Sequence, residues 1–451
     1  MNSAIRKLLI RLEVDKAVFF GILTRIWQTC AGPVTAILIA NRFSLELQGF
    51  YYTFWSLLAL QVFVQLGLAT VIVPFASHEW SKLEINKNGQ VVGDKDALSR
   101  LVSIANIASK WYVAGSIIVT FGLGFGGYYF FSINPDLVKD VEWTMPWLSL
   151  SLLTGITICI VPVWSLLEGC NQVTNVYMYR FIEGIVRSIP IWIAILSGAK
   201  LWAPAISTMA CLIWTVLFLR KRYWGFIKSL FFSRPTGPQI QWRTEMLPMQ
   251  WRVAVSWISG YFMFSLFVPV LFQYHGPIVA GQMGMTWAIV SSLLSVFSVW
   301  VAPKFPYFGI LIAEKKYEKL DRLFWRLVNI VGVGSIISAF LIWYAVFILH
   351  KMQFDWINRI LPPLPTGLFL VATIIMSISV PFSNYLRAHK KEPIMIISVV
   401  SAILITTSNL TLGKYFSATG MAVGYLAVNL FVVPFIFLVW FRCRKKWHST
   451  S

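Results

Sequence analysis

Arg180, Glu183 and Arg187 lie inside an apolar stretch long enough to cross a membrane, and they are the residues in this chain whose types and spacing could do chemistry. Intervals of three and then four residues put all three on one helical face, with Tyr177 just below them. An ionisable side chain at membrane depth costs at least ~2.5–3.5 kcal/mol on insertion scales, so such a stripe must face protein or water rather than lipid. Two readings follow. The stripe is either one wall of a substrate cavity or an Arg-Glu-Arg staple that locks helices together. The residue types favour the cavity: two arginines around one acid leave a positive charge uncompensated, and Arg25 adds another near the middle of a different apolar segment.

Arg25 shares a stripe with Thr29, Gly32 and Ala36. At 1.5 Å per residue it stands roughly 12 Å in from residue 17, close to the midplane, where snorkelling is poor; a cavity-facing role is expected. Gln61 and Gln65, one turn apart, either extend the same polar surface or glue helices together. Two or three guanidinium groups facing one wet space select an anion, and their planar forks suit phosphate and carboxylate. Glu183 between two arginines is a candidate proton-coupling group. Glu168 is a candidate salt-bridge partner at the cavity edge. Lys110 and Lys304, the latter between Pro303 and Pro306, are expected to be interfacial.

The elements that hold these residues are membrane spans. The 451 residues are 57% hydrophobic and 12% charged, against ~25% charged in ordinary soluble domains. An apolar layer of ~30 Å needs about 20 helical residues. Windows of that kind fall near residues 17–40, 51–76, 105–131, 146–169, 175–197, 201–219, 252–274, 282–303, 327–349, 364–386, 394–412 and 418–441, giving twelve predicted helices. The first is too long for a signal-peptide core and reads as a retained span.

The 38 Lys and Arg against 18 Asp and Glu give +20. Most of the basic residues fall in the tails and in connections after even-numbered spans, among them Arg6, Lys7, Arg11, Arg100, Arg220, Lys221, Arg222, Lys315, Lys316, Lys390, Lys391 and Arg444. That bias places both termini in the cytoplasm and removes any need for a nucleic-acid partner. The longest basic connection, 220–251, contains RKRYWGFIKSLFF, either a short amphipathic helix on the membrane surface or an ordinary linker. It divides the chain into an expected six-helix lobe (1–219), the linker (220–251), a second six-helix lobe (252–441) and a basic tail (442–451).

The two groups of six match internally. Gly49, Trp55 and Pro74 recur at one constant shift as Gly281, Trp287 and Pro306. Leu98 and Arg100 match Leu320 and Arg322, and Pro162, Leu167 and Gly169 match Pro381, Leu386 and Ala388. Six spans per copy means parallel repeats, a plan that places substrate at the interface of the two copies.

Other motifs point to no chemistry. Gly122, Gly124 and Gly127 spell G-x-G-x-x-G inside a span with no preceding strand, so close helix packing explains them better than nucleotide binding. No Walker, H-E-x-x-H or G-x-S-x-G sequence occurs. Cys30, Cys159, Cys170, Cys211 and Cys443 form neither a C-x-x-C pair nor a metal spacing. No cofactor, metal or catalytic site is expected.

Twelve spans in two copies, the stretch RFSLELQGFYYTFWSLLALQVFVQLGLATVIVPFAS, and PVWSLLEGCNQ closing the fourth span resemble the polysaccharide flippase branch (Wzx type) of the multidrug/oligosaccharidyl-lipid/polysaccharide exporter superfamily. The resemblance covers most of the chain. It implies an all-α membrane protein of twelve transmembrane helices in two parallel lobes, and alternating-access flipping of undecaprenyl-pyrophosphate-linked oligosaccharide across the bacterial inner membrane in lipopolysaccharide O-antigen synthesis. Arg25, Arg180 and Arg187, with Gln61, Gln65 and Tyr177, would line the substrate site. Glycan polymerase and glycosyltransferases would be pathway partners. A Na⁺- or H⁺-coupled drug/cation antiporter of the same superfamily is the alternative, although acids are lacking in spans one and seven. A membrane glycan polymerase or ligase is a further one, for which the outer connections look too short.

Overall fold

The computed structural model describes residues 16–137, 139, 141–301, 304–389 and 393–449. Arg6, Lys7, Arg11, Pro303, Lys390 and Lys391, which enter the sequence argument, lie outside the described residues.

The protein is an all-α membrane protein. Among the described residues, eight helices are long and apolar enough to cross a membrane, or nine if the bent pair Leu45–Gln65 and Leu68–Trp80 counts as one span. Two of the eight are double. Phe267–Val301 runs on from Leu247–Phe264 but breaks at Gly276, whose φ of 84° and ψ of 175° suit only a residue without Cβ. Met395–Ser449 breaks at Ser417 (φ 54°, ψ −147°). There the chain folds back on itself: a Cβ on Gly424 would overlap Ser408, and one on Gly420 would overlap the Leu412 carbonyl. Val173–Leu196 makes the count twelve. It is 24 residues long and reaches across a bilayer, yet every membrane-length stretch of it contains Arg180, Glu183 and Arg187.

By internal contacts the chain forms two compact units. The first takes the residues up to Arg42 and Leu57–Ile258; the second takes Phe43–Ser56 and everything from Ser259. The divisions fall between the first and second windows, inside the second and inside the seventh.

In the first unit, α1 (Lys16–Arg42) packs along α8 (Val173–Leu196). The second span enters this unit through a 3₁₀ turn at Ala59–Gln61 and α3 (Val62–Gln65), then bends by 45° into α4 (Leu68–Trp80). Leu66 and Gly67 are both left-handed at that bend, and a Cβ on Gly67 would strike Val253. A β-hairpin, β1 (Leu83–Ile85) with β2 (Val91–Gly93), follows. Asn86 Oδ1 accepts from the amides of Asn88 and Gln90, and Gly89 supplies the positive φ of the turn. The helix-only expectation passed over this hairpin, although its signal, Asn-Gly between two apolar pairs, is present in the sequence.

Asp94 caps α5 (Lys95–Ser132) by accepting from the amides of Asp96 and Ala97. Within α5, Gly127 backs onto the indole of Trp147 on α6 (Thr144–Ile158), so this glycine of the G-x-G-x-x-G serves helix packing. α7 (Val161–Gly169) lies against α4, where Gly169 meets Ala76 and the Val73 carbonyl. α9 (Ala203–Phe231) runs beyond the sixth window to include most of RKRYWGFIKSLFF. It leaves helical geometry at Tyr223, and its last turns bury Tyr223, Phe226 and Leu230 while Gly225 meets the hairpin turn. The chain then returns across α5, with Gly237 and Ile240 donating to Ser99 Oγ (2.8 Å) and Ser103 Oγ (2.9 Å), and enters α10 (Leu247–Phe264). Arg100 closes this end of the unit by donating to Glu79 and Glu245, each at 2.8 Å.

In the second unit, Phe43–Ser56, which begins α2 (Leu45–Leu58), packs on α11 (Phe267–Val301) with almost no intervening side chain. A Cβ on Gly49 would overlap the Pro277 carbonyl, and one on Gly281 would stand 2.8 Å from Gly49 N. The two glycines paired by the internal repeat therefore touch. Gln48, 1% exposed, donates to the carbonyls of Gly281 (2.9 Å) and Arg359 (2.8 Å), while Arg359 Nη2 donates to the Phe43 carbonyl (2.6 Å). Burial outside the spans lowers the Arg359 guanidinium below its ordinary value, partly offset by Glu46. α12 (Phe305–Ala313), α13 (Tyr317–Lys351), α14 (Pro363–Ala388) and α15 (Met395–Ser449) complete the unit. Its aromatic richness is core: Phe308, Phe324, Phe382, Tyr385 and Trp440 form one cluster, and Phe267, Trp287, Phe369 and Tyr425 another. Arg444 pairs with Asp321, which also accepts from Tyr385 at 3.3 Å.

Candidate functional site

The site residues sit on α1 and α8 of the first unit. Three contacts fix the register. Gly21 faces Tyr177, Gly184 faces Trp27, and Trp192 Nε1 donates to Thr35 Oγ1 at 2.8 Å. Residue numbers rise together along both helices, so α1 and α8 run parallel. Trp27 Nε1 also donates to Ser188 Oγ (3.2 Å), and the Trp27 and Trp192 rings lie 6.0 Å apart. Arg25, between the Gly21 and Trp27 contacts, therefore stands at the height of the 177–184 stretch of α8. These aromatic and hydroxyl partners were missed in the sequence, where tryptophan at helical spacing reads equally well as core.

The charges do not stand as the spacing predicts. Glu183 pairs with Arg187 one turn on, with Nη2 to Oε1 at 2.8 Å. Arg180 turns instead to Glu168 at the end of α7, at 2.7 Å, with its Cζ 5.2 Å from the centre of the Tyr177 ring. The expectation that the triad keeps an uncompensated positive charge is therefore corrected: each α8 arginine has its own carboxylate, because the turn at Cys170 and Asn171 brings Glu168 back beside α8. Arg25 donates only to Gln28 Oε1 (3.3 Å) and has no carboxylate partner among the described residues.

Gln61 and Gln65 are brought to each other, 3.2 Å apart, at the bend of the second span. Their surroundings are α5 and α10: the Val64 carbonyl accepts from Trp111 Nε1, and Val64 fills the space beside Gly115. Among the described residues no hydrogen bond or ion pair joins either glutamine to the three arginines. Lys110 and Lys304 are exposed.

The paired side chains are not sealed in protein. Arg180 is 45% exposed and Arg187 40%, with Glu168 and Glu183 at 23% and 26%. On a membrane-crossing helix, accessible ion pairs require hydration. The α8 pairs are therefore two balanced, accessible ion pairs, whose guanidinium groups are of a kind that binds charged oxygens by fork-like hydrogen bonds. Around them, Tyr179 stacks on Trp164 with ring centres 3.8 Å apart and bonds Thr215, and Ser207 Oγ donates to the Arg187 carbonyl at 2.7 Å; these fix the α8 backbone.

The architecture is that of known membrane transporters. An inward-facing multidrug resistance transporter of the MATE family in the MOP superfamily aligns with 92% of this chain and 96% of its own, at 12% identity and a TM-score of 0.63. The lipid II flippase MurJ in an inward closed conformation aligns over 94% and 87%, at 14% identity and 0.63. A MOP superfamily transporter from Pyrococcus furiosus, described as having a binding pocket of reversed polarity, aligns over 97% and 96%, at 13% identity and 0.54. No protein-family model and no curated protein matches the sequence. At these identities the likeness establishes the fold alone, the all-α multi-helix membrane fold that these proteins share.

Proposed function

We propose that the protein flips an anionic, lipid-linked oligosaccharide across the bacterial inner membrane, with both termini cytoplasmic, by alternating access. One observation carries the reading: Arg25, a membrane-depth guanidinium without a carboxylate partner among the described residues, is level with the α8 stretch whose two arginines form accessible ion pairs. Arg25 offers its fork to a phosphate of the pyrophosphate link. Arg180 and Arg187 exchange Glu168 and Glu183 for substrate oxygens, and Tyr177, Trp27 and Trp192 offer ring faces to sugars. Glu183, once released by Arg187, is the group that would take a proton. Undecaprenyl-pyrophosphate-linked O-antigen repeat units fit this chemistry, with glycosyltransferases before the step and a polymerase after it.

The test is flipping of a fluorescent polyprenyl-pyrophosphate oligosaccharide by purified protein in liposomes. Arg25→Ala should slow it at least about tenfold and Arg25→Lys less, since a lysine keeps charge without the fork. A wild-type rate in Arg25→Ala would sink the assignment. For Glu183→Gln, unchanged flipping with an unchanged pH profile would remove the coupling role.

A second reading, a cation antiporter, is favoured by the pairing itself, which sets two accessible carboxylates, Glu168 and Glu183, against the α8 arginines. It predicts Na⁺- or H⁺-dependent extrusion of a cationic dye that Glu168→Gln and Glu183→Gln abolish, with no response to Arg25→Ala.

A further inference from the structure

At the end of the first unit where α5 begins and α9 stops, the hairpin, the two helices and the returning chain line a half-open cavity of about 620 Å³. Lys228, Arg234, Ser99, Ser233 and Thr236 contribute its polar lining, and Phe232 stands at its mouth. Neither Lys228 nor Arg234 has a carboxylate within salt-bridge distance among the described residues. Ser99 Oγ accepts from the Gly237 amide (2.8 Å), which leaves its O–H to donate, and among the described residues neither it nor the Ser233 and Thr236 hydroxyls donates to an acceptor. The neighbouring acids lie outside the lining: Asp94 is engaged in capping α5, and Asp96 stands beside Gly237. Two cations and three hydroxyl donors facing one space, with no acid among them, make an anion receptor suited to a tetrahedral phosphate.

The aromatic residues indicate where that phosphate comes from. Phe232 is 74% exposed and Trp224 54%, with ring centres 6.4 Å apart, on the last turns of a membrane-crossing helix. Large exposed rings beside a cationic cavity at a helix end are the signature of the bilayer interface. We propose that this cavity holds the phosphodiester headgroup of an anionic membrane phospholipid, with the glycerol and upper acyl chain against Phe232 and Trp224. The site is separate from the α1–α8 face and does not depend on what that face transports.

The experiment is native mass spectrometry of the full chain in micelles containing equal phosphatidylglycerol and phosphatidylcholine with identical acyl chains. Wild type should retain phosphatidylglycerol in preference by about tenfold, and Lys228→Ala with Arg234→Ala together should bring the two lipids level. Lys221→Ala, which removes a charge from the same helix outside the cavity, should leave the preference intact. Thermal melting guards against a misfolded variant: phosphatidylglycerol should raise the wild-type melting temperature and not that of a double variant that melts normally without it. Equal retention by wild type, or an unchanged preference in the double variant, overturns the site. Displacement of the lipid by millimolar inorganic phosphate or glycerol 3-phosphate overturns the lipid as its source.

Discussion

In the first unit α1 meets α8 through single glycines set against aromatic rings, and the charged side chains around that seam stay 40–45% exposed on the arginine side. In the second unit Phe43–Ser56 meets α11 backbone to backbone, Gly49 on Pro277 and Gly281, with a buried glutamine bridging two carbonyls. The internal repeat sharpens the contrast. At the shift that matches Pro162 to Pro381, Arg180, Glu183 and Arg187 of α8 correspond to Val399, Ala402 and Thr406, and the stretch 395–413 carries no charge. A close seam buries backbone and gives rigidity. An open one gives up burial to keep charged groups in contact with water.

If that division of labour is right, damage to the two seams should look different. The largest effect is expected from Gly49→Val, whose side chain has no room against Pro277: a loss of about 3 kcal/mol or more, read as failure to recover monodisperse protein. Next comes Gln48→Leu, which leaves two buried carbonyls unpaired and should cost about 1–3 kcal/mol by thermal melting. A melting temperature equal to wild type in either variant would break the claim that this seam is structural. Arg25→Ala should do the reverse, lowering flipping about tenfold, equivalent to ~1.4 kcal/mol in the barrier, with melting unchanged. Ser417→Gly relieves a positive φ at the α15 reversal and should stabilise by about 1 kcal/mol. The smallest stability effect belongs to Arg180→Ala with Glu168→Ala, an accessible pair whose joint removal should shift stability by no more than ~1 kcal/mol. A large destabilisation there would turn the charged face back into a staple.

Much of the fold is visible in the order of residues. The twelve apolar windows follow from bilayer thickness, and even the repeat glycines Gly49 and Gly281 can be picked out before their contact is known. The candidate site is less so. The stripe on α8 and the depth of Arg25 come from helical periodicity, which is local. The partner of Arg180 comes from a different helix, twelve residues back across a turn, and no period reports it.

The sequence alone determined that this chain crosses a membrane many times, which segments do so, and that ionisable groups lie at depth on α1 and α8, because hydropathy and helical pitch are properties of consecutive residues. Tertiary structure alone decided that Glu168 satisfies Arg180, that Arg25 has no acid partner among the described residues, and that Gln61 and Gln65 belong to a bend in the second span. It also decided that Lys228 and Arg234 close on one cavity. Each of these depends on which helix faces which, and charge pairing falls off over a few ångströms, a distance fixed only once the helices have packed.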